Sequence, residues 1–352
     1  FAYSADKWAS LRDNVMEYGK LADLVHEYNP TVRSNRSTLS DKKNQDLTEI
    51  NDKLLSDAMD LWDDASSTDT DSYMGRMTAA NLDFAGNTLA QTADKNFMDA
   101  EMYKISYDQT EANLVFQAQQ LMTTYKQSAY TMENLNANRA LAQASYEATV
   151  ARQAAGMATQ TEVLTSLKNV QDIDANILSA QKSTDNVYRS LLLMLGWSAD
   201  SQPEIRDIPE PDLARIGAMD PDADREQALA NNYEIKSDEH KLQNLKTNEQ
   251  ADATKADLED KRNQVYSSLK TQYNAVLDAK DALDAANIKL QLETVNMNAA
   301  SAKAATGNIS ALELIQQQTS YTTAKNSVET GKMQLTLAME KYDWIKKGLT
   351  FS

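Results

Sequence analysis

The feature that most constrains this chain is the long stretch 222–306, which contains neither glycine nor proline. A second stretch of this kind covers positions 87–155. The 352 residues include only 9 Gly and 5 Pro, where average usage gives roughly 25 and 18. Because glycine and proline mark turns, their scarcity argues against β-sandwiches, β-barrels and multi-stranded α/β folds. We predict an all-α chain in which one helix spans on the order of 100 Å.

Four of the five prolines lie close together, and they divide the chain almost in half. Proline cannot continue a helix, and it biases the preceding residue towards extended geometry. The cluster therefore predicts a non-helical, acidic linker over residues 197–221, between a first half (1–196) and a second half (222–352). The four prolines are Pro203, Pro209, Pro211 and Pro221.

Each half contains positions that advance in alternating steps of three and four residues, as the seam of a left-handed coiled coil requires. Adding 151 to each position of the first series gives the first eight positions of the second, which indicates an internal duplication. The first series is Val170, Ile173, Ile177, Ala180, Thr184, Val187, Leu191 and Met194; the second is Tyr321, Ala324, Val328, Gly331, Leu335, Ala338, Tyr342, Ile345 and Leu349.

The same offset relates two turn segments, GMATQTEVL (156–164) and GNISALELI (307–315). Each is a glycine, five residues, a glutamate and two apolar residues, and each precedes a long predicted helix that ends at Gly196 or Gly348. Glycine suits the left-handed residue that ends a helix. We therefore predict two long antiparallel helical hairpins with tips near residues 156 and 307.

The residues that cap the helices after the tips are left open by the sequence. Thr159 or Thr161 fits the first position, and Asn308 or Ser310 fits the second.

The first half carries extra sequence. YNPTVRSNR (28–36) resembles NYEIKSDE (232–239) at a different shift from that of the tips, which leaves about 52 additional residues before the first tip. Because the region is rich in Asp and contains Gly75 and Gly86, we predict an irregular insert over about 50–105.

Composition and motifs predict no catalytic, cofactor or metal site. The chain has no cysteine, so thiol catalysis and Cys-based zinc sites are excluded. The net charge of −17 disfavours nucleic acid, which needs a basic surface. Because no phosphate-binding loop, zinc-protease motif or hydrolase elbow is present, we predict a protein that is not an enzyme.

Three acidic or histidine clusters have a second interpretation as metal ligands. Residues 220–225 resemble half of a calcium loop, but Arg225 replaces the required glycine and Asn231 replaces the bidentate glutamate. His26 and His240 occupy roughly equivalent points of the two halves, and surface histidines are the favoured interpretation. A solvated surface is also favoured for the aspartate series Asp57, Asp60, Asp63, Asp64, Asp69 and Asp71.

Taken in order, these features resemble the TolC family of outer-membrane efflux ducts over about residues 20–348. The family opens each repeat with a helix around an Asn-Pro-like segment, as in LADLVHEYNPTVRSNRSTL and REQALANNYEIKSDEHKL. A proline-containing linker such as PEIRDIPEPDL joins the repeats, and a descending helix ends as in LLLMLGW. Under this resemblance, 1–196 and 222–352 are the two TolC-like repeats.

The resemblance implies a homotrimer whose hairpins form a hollow helical duct. It also implies that the first tip (residues 155–159) and the second tip (residues 306–310) dock the adaptor, or membrane fusion protein, of an export pump. Ala304 and Ile309 fall where the best-known member can carry Tyr and Arg, so its gating network is not carried over. The expected partner-binding residues are Ala155, Gly156, Met157, Thr159, Glu162, Thr306, Gly307, Asn308, Ser310 and Glu313.

The chain departs from the family where each repeat contributes two strands to a β-barrel. Residues 240–269 are polar and helix-prone, and the insert lacks a lipid-facing alternation. Since no apolar run is long enough for a transmembrane helix either, we expect an all-helical relative without the β-barrel and without a direct membrane span. Because the sequence begins at Phe1, we expect an extracytoplasmic location, periplasmic or surface-exposed, after removal of a signal peptide.

Two functions from different classes follow. The first is a non-enzymatic, TolC-like component of a cell-envelope efflux or export system. The alternative is a structural or interaction rod of the cell surface that keeps the fold and has lost transport. In the first case the tips are docking sites, and in the second they are ordinary turns between helices.

Overall fold

A computed structural model of the chain describes residues 3–245 and 248–351, and it confirms an all-α fold built on long helices. Phe1, which entered the expectation of a removed leader, and residues 246–247 of the helix-prone segment lie outside this description. The elements are α1 (Ala5–Arg12), β1 (Val15–Met16), a 3-10 turn (Tyr18–Lys20), α2 (Leu21–Tyr28), α3 (Pro30–Lys42), α4 (Leu47–Ser67), α5 (Tyr73–Lys95), α6 (Ala100–Ala154), α7 (Gln160–Met194), β2 (Glu204–Ile205), α8 (Leu213–Ile216), α9 (Pro221–Asn231), α10 (Tyr233–Asn244), α11 (Asn248–Ala305) and α12 (Ala311–Lys346).

The chain forms two compact units, each built from separate stretches of sequence. Unit 1 comprises Phe1–Pro30, Asn113–Pro221 and Leu269–Trp344. Unit 2 comprises Thr31–Ala112, Asp222–Ser268 and Ile345–Ser352. Both units therefore combine segments from the two halves of the sequence.

In unit 1, four long helical segments pack side by side. The α6 and α12 segments share polar contacts: Asn326 donates to the Asn134 Oδ1 at 2.9 Å, and the Trp344 indole donates to the Gln119 Oε1 at 2.7 Å. On its other side, α12 approaches α11 closely, with Gly331 against Leu283.

The fourth segment, α7, is joined to α6 by an ion pair between Arg139 and Asp174 at 2.6 Å. The order of the four segments is thus α7, α6, α12, α11. Seam positions on the inner helix α12 are buried, including Ala324, Val328, Leu335 and Tyr342.

Two further contacts join the first 30 residues of unit 1 to the end of α7 and to the segment that follows it. The short strands β1 and β2 pair in parallel, with Val15 opposite Glu204 and Met16 opposite Ile205. Asn29 donates its amide to the Met194 carbonyl at 2.8 Å, which ties the start of the first half to the end of α7.

In unit 2, the prediction that the insert is irregular is wrong, because most of residues 50–105 form helices, among them the antiparallel pair α4 and α5. The side chains of Asp46 and Ser72 cap the two helices. Gly86 lets the backbones approach, since an added Cβ would lie 2.6 Å from the Trp62 Nε1. Asn51 and Asn96 close the end of the pair with two hydrogen bonds at 2.9 Å.

The prediction of a wholly non-helical linker over 197–221 is also corrected. The segment contains strand β2 and the helical turn α8, which the Asp212 side chain caps. Its last proline, Pro221, begins α9, because proline is suited to the first helical position, where no N–H bond is needed.

The stretch 222–306, which lacks glycine and proline, is divided among the helices α9, α10 and α11 in the part that the structure describes. The break before α10 is set by Asn232, whose side-chain oxygen accepts from the Ile235 N–H at 3.0 Å and so starts that helix. Helix α11 has 58 residues and a length of about 87 Å. Outside residues 246–247, segment 240–269 is helical except for Leu245.

Candidate functional site

The two hairpin tips share one backbone geometry. Gly156 and Gly307 have φ values of 74° and 72°, the left-handed conformation that ends a helix. At the first tip, the N–H of Met157 donates to the Arg152 carbonyl at 2.8 Å. At the second, the N–H of Asn308 donates to the Lys303 carbonyl at 2.8 Å. Both are the six-to-one bond of a Schellman ending, which satisfies carbonyls left over by α6 and α11.

The helices that leave the tips also begin in the same way. Thr159 accepts from the Glu162 N–H at 3.2 Å, while the Glu162 carboxylate accepts from the Thr159 N–H at 2.7 Å. Ser310 and Glu313 make the same pair of bonds at 3.2 and 2.8 Å. These are capping boxes. The structure thus selects Thr159 and Ser310 from the caps that the sequence left open.

Hydrogen bonds to the capping residues lower the pKa of both glutamates. For Glu162 the largest cause is the backbone bond from Thr159, and for Glu313 it is the backbone bond from Ser310. Two basic residues, Arg152 and Lys303, lower the pKa further by charge attraction. The two carboxylates are therefore ionised and held in place at neutral pH.

These two basic residues were missed by the sequence reasoning. Arg152 and Lys303 occupy the last turns of α6 and α11, where a positive charge interacts favourably with the helix dipole. Arg152 also donates to the Met157 carbonyl at 3.3 Å. The sequence could have indicated both residues, because Arg152 and Lys303 stand at equivalent positions of the two halves, four residues before Gly156 and Gly307.

All ten predicted partner-binding residues are exposed, and the structure places five in each tip region. Hydrogen bonds link members within each region, whereas none among residues 3–245 and 248–351 joins one region to the other. No atom lies within 4 Å of an ideal Cβ at Gly156 or Gly307, so each turn projects into open space. Both tips are thus exposed turns that are closed by their own hydrogen bonds.

The tips differ in the side chains that they present. The first carries Met157, which is 66% exposed, next to small Ala155. The second carries Asn308, whose amide donates to the Thr306 hydroxyl at 2.8 Å. A partner that contacts both tips would therefore meet an apolar surface at one and a polar surface at the other.

The other candidate sites are occupied by structural contacts. Residues 221–224 of the calcium-like segment lie in α9 rather than in a loop, and Asp224 pairs with Lys346 at 2.8 Å. His240 contacts Asp99 at 2.6 Å, and His26 lies 3.7 Å from Glu27. Within the described residues, no cluster of three or more His, Cys, Asp or Glu has the geometry to hold a metal ion.

No helix in the described part of the chain is both long and apolar enough to cross a membrane.

Comparison with solved structures shows the fold. The chain is similar to the outer-membrane channel OprN, with a TM-score of 0.60 and 11% identity over 99% of this chain and 93% of that one. It is similar to the Campylobacter jejuni CmeC outer-membrane channel, with a TM-score of 0.60 and 9% identity over 97% and 87% of the two chains. A membrane protein from Pseudomonas aeruginosa matches with a TM-score of 0.56 and 11% identity over 94% and 93%.

No sequence profile of a protein family matches the chain, and no curated protein matches it. The similarity is therefore one of fold. The chain has a TolC-like fold of the kind found in outer-membrane channels, and it shares that fold over nearly its whole length.

Proposed function

We propose that this protein is a non-enzymatic component of a cell-envelope efflux or export system and that it docks a pump adaptor through its two hairpin tips. The observation that carries the proposal is the pair of tips with the same Schellman ending and the same capping box, both exposed. The fold shared with outer-membrane channels supports a docking role for these tips. The proposal assigns no catalytic residue and no cofactor.

Such a component would act through its shape and through its assembly with other copies of the chain. In the row of helices in unit 1, the outer helix α11 exposes Ile288, Leu292 and Val295, spaced by four and three residues on one face. The outer helix α7 exposes Leu164 and Leu178, which are two heptads apart. The two helices that carry these exposed residues stand at the two ends of the row, as a head-to-tail interface that closes into a ring would require.

We infer that these faces join copies of the chain into a homotrimer. One chain supplies four long helices, and a hollow duct of this type needs about twelve. An extracytoplasmic position in the envelope belongs to the same proposal.

The alternative function, a structural rod of the cell surface, has one observation in its favour. At each tip the glutamate caps its own helix and the glycine ends the preceding one, so the turn is complete without a partner. Under this alternative, the tips would have no specific contact with another protein.

Photo-crosslinking in the native host separates the two functions. A photoreactive amino acid replaces Met157 in one variant and Asn308 in another, and crosslinked proteins are identified by mass spectrometry. The control variant carries the same amino acid at Leu213, which is 50% exposed on α8. We expect an adaptor of an export pump to crosslink at both tips and not at the control.

The result that contradicts docking is equally specific. Crosslinks to an adaptor at Leu213 as strong as those at the tips would show contact without a tip-specific site. If copies of the chain crosslink to one another but neither tip crosslinks to an adaptor, the proposed oligomer is supported and the proposed adaptor docking is contradicted.

A further inference from the structure

Helix α11 exposes an apolar seam on the side that faces away from α12. The positions of this seam advance in alternating steps of three and four residues, and all of them are exposed. Leu283, which packs against Gly331 of α12, lies on the opposite side of the helix. Such spacing is typical of the side of a helix that packs in a left-handed coiled coil. We call the following residues the α11 seam: Ala285, Ile288, Leu292, Val295, Ala299 and Ala302.

Helix α7, at the other end of the row, exposes a second seam with the same spacing. This seam lies away from the side of the helix that carries the buried residues Val163 and Val170. It contains a lysine and a glutamine, whose side-chain stems add apolar surface while their polar ends stay in water. We call the following residues the α7 seam: Leu164, Lys168, Gln171, Ala175 and Leu178.

Contacts inside unit 1 fix the level of the α7 seam along the row. An ion pair at 2.6 Å and a pair of rings with centroids 5.3 Å apart give the same antiparallel alignment of α6 and α7. That alignment places Leu178 opposite position 135 of α6, next to Asn134. The two contacts are Arg139 with Asp174 and Tyr125 with Tyr188.

The level of the α11 seam follows in the same way. Asn326 of α12 donates its amide to the Asn134 Oδ1 at 2.9 Å. The close approach of α11 to α12 at Gly331 then places Asn326 opposite Ile288. Leu178 and Ile288 therefore lie at the same level along the helices, to within about two residues or 3 Å.

Rotational symmetry carries this level from one copy of the chain to the next. In a ring whose axis runs along the helices, every copy stands at the same height. Helix α7 leaves a tip and α11 approaches one, so the two seams run in opposite directions and stay within one residue of each other over their whole length. The opposed pairs are Leu164 with Ala302, Lys168 with Ala299, Gln171 with Val295, Ala175 with Leu292, and Leu178 with Ile288.

Charge is complementary where the two series continue away from the tips. On α7 the next exposed positions are Lys182, Asp185 and Arg189, and on α11 they are Asp281 and Asp278. Arg189 falls opposite Asp278, and within residues 3–245 and 248–351 neither side chain has an ion pair. Asp185 falls opposite Asp281, with Lys182 and Arg189 one turn away on either side. The acidic end of one seam therefore favours the basic end of the other.

We propose that α7 of one copy and α11 of the next form an antiparallel coiled coil in a single register, with Leu178 opposite Ile288 and Arg189 paired with Asp278. This inference rests on the proposed homotrimer, and it assigns the side-chain contacts between its copies. The apolar residues of the two seams exclude water near the tips, and the charged pair fixes the register further along.

The test uses the absence of cysteine from the chain. The double variant Leu178→Cys/Ile288→Cys has one thiol on each seam, and in the proposed register the two thiols of a contact belong to different copies. A disulfide needs Cα atoms within about 7 Å of each other. Oxidation with copper phenanthroline should therefore link the full chain into covalent species of two and three chains on non-reducing gels.

Two matched variants test the neighbouring registers. Leu178→Cys/Ala285→Cys and Leu178→Cys/Leu292→Cys move the second thiol by about 5 Å along α11 in either direction. We expect each to give less than about one-fifth of the covalent product of the first variant, because disulfide geometry is specific. Circular dichroism checks that all three variants keep their helix content.

A charge reversal tests the pair at the far end of the seams. Arg189→Glu should raise the concentration at which the trimer dissociates by at least about threefold, because it places two acidic side chains together. Adding Asp278→Arg to the same chain should restore the original value, which a loss of structure at either position alone would not allow. Light scattering over a range of concentrations measures both effects.

The outcomes separate this inference from the homotrimer on which it rests. A trimer in which one of the neighbouring-register variants gives more covalent product overturns the register and leaves the homotrimer standing. A trimer in which no pair of seam thiols crosslinks places the contact elsewhere on the chain. A single-chain mass at every concentration contradicts the homotrimer and this inference together.

Discussion

Among the described residues, four glycines with positive φ end long helices, and they fall into two contrasting pairs. Gly156 and Gly307 turn the chain in open space, with no atom within 4 Å of an added Cβ. Gly196 and Gly348 turn it against other backbone, where an added Cβ would lie 2.5 Å from the Tyr28 Cβ and 2.3 Å from the Asn231 carbonyl oxygen. A glycine with positive φ thus ends a helix at an exposed tip in the first pair. In the second pair it ends a helix at a packed turn, and we call the turns at Gly196 and Gly348 the closures.

The difference lies in what surrounds each turn. At Gly348, the Asn232 amide donates to the Gly348 carbonyl at 3.1 Å and to the Thr350 hydroxyl at 2.9 Å. Asn232 is fully buried, whereas Asn308 at the second tip is exposed. The turns at Gly196 and Gly348 are therefore held by surrounding structure, whereas the turns at the tips are exposed.

The largest expected effect comes from Gly348→Ala. The new methyl group meets the Asn231 backbone, which cannot move as a flexible side chain would, and alanine is strained at a φ of 117°. Together these effects should lower the free energy of unfolding by about 3–5 kcal/mol in urea denaturation. A loss no larger than that of Gly307→Ala would remove the distinction between closures and tips.

Asn232→Ala tests the polar side of the same closure. The substitution removes the cap of α10 and the bonds to the Gly348 carbonyl and the Thr350 hydroxyl. We expect a loss of about 2–3 kcal/mol, measured by urea denaturation. Asn308→Ala is the matched control at the tip, and it should cost less than about 0.5 kcal/mol. Equal losses would contradict the comparison.

Gly307→Ala isolates the conformational part of the effect. With open space around the Cβ, only the left-handed backbone opposes alanine, at about 1–2 kcal/mol. The cost should appear as faster amide exchange in the last turn of α11, with the rest of the chain unchanged. Gly307→Asn should be milder, because asparagine tolerates this conformation better. Faster exchange throughout the chain would show that the tip has a global role.

The smallest effect is a pH dependence confined to the tips. Because the pKa of Glu162 is lower in the folded chain than in the unfolded chain, its capping contribution is complete above the ordinary pKa of 4.5 and is lost as the pH falls through the lowered value. Amide exchange at the start of α7 should accelerate in that acidic range. Glu162→Gln should abolish the pH dependence, and its persistence in that variant would assign it to another group.

Much of this arrangement was predictable from residue spacing. The constant offset between the two halves located both tips, because a Schellman ending needs a glycine and a capping box needs Ser or Thr three residues before Glu. The choice of Thr159 over Thr161 also follows from that spacing to Glu162, although the sequence reasoning considered the cap and the acidic residue separately.

The insert was misinterpreted because its composition was given more weight than its spacing. The aspartates and Gly86 suggested irregular structure, yet the aspartates lie largely on the exposed side of α4 and Gly86 allows close packing on Trp62. The buried positions Ala58 and Ala65 are one heptad apart, as are Gly86 and Ala93. Small residues give a weak hydrophobic signal, so this packing became evident only from the structure.

The mass of the full chain in solution, measured by light scattering over a wide range of concentrations, tests the proposed assembly most directly. Closure of the α7 and α11 faces between neighbours predicts a species of three chains, each of 39.1 kDa. Replacing Ile288 and Leu292 with aspartate should return it to single chains with unchanged helix content. A single-chain mass for the unmodified protein at every concentration would contradict a duct and favour the rod.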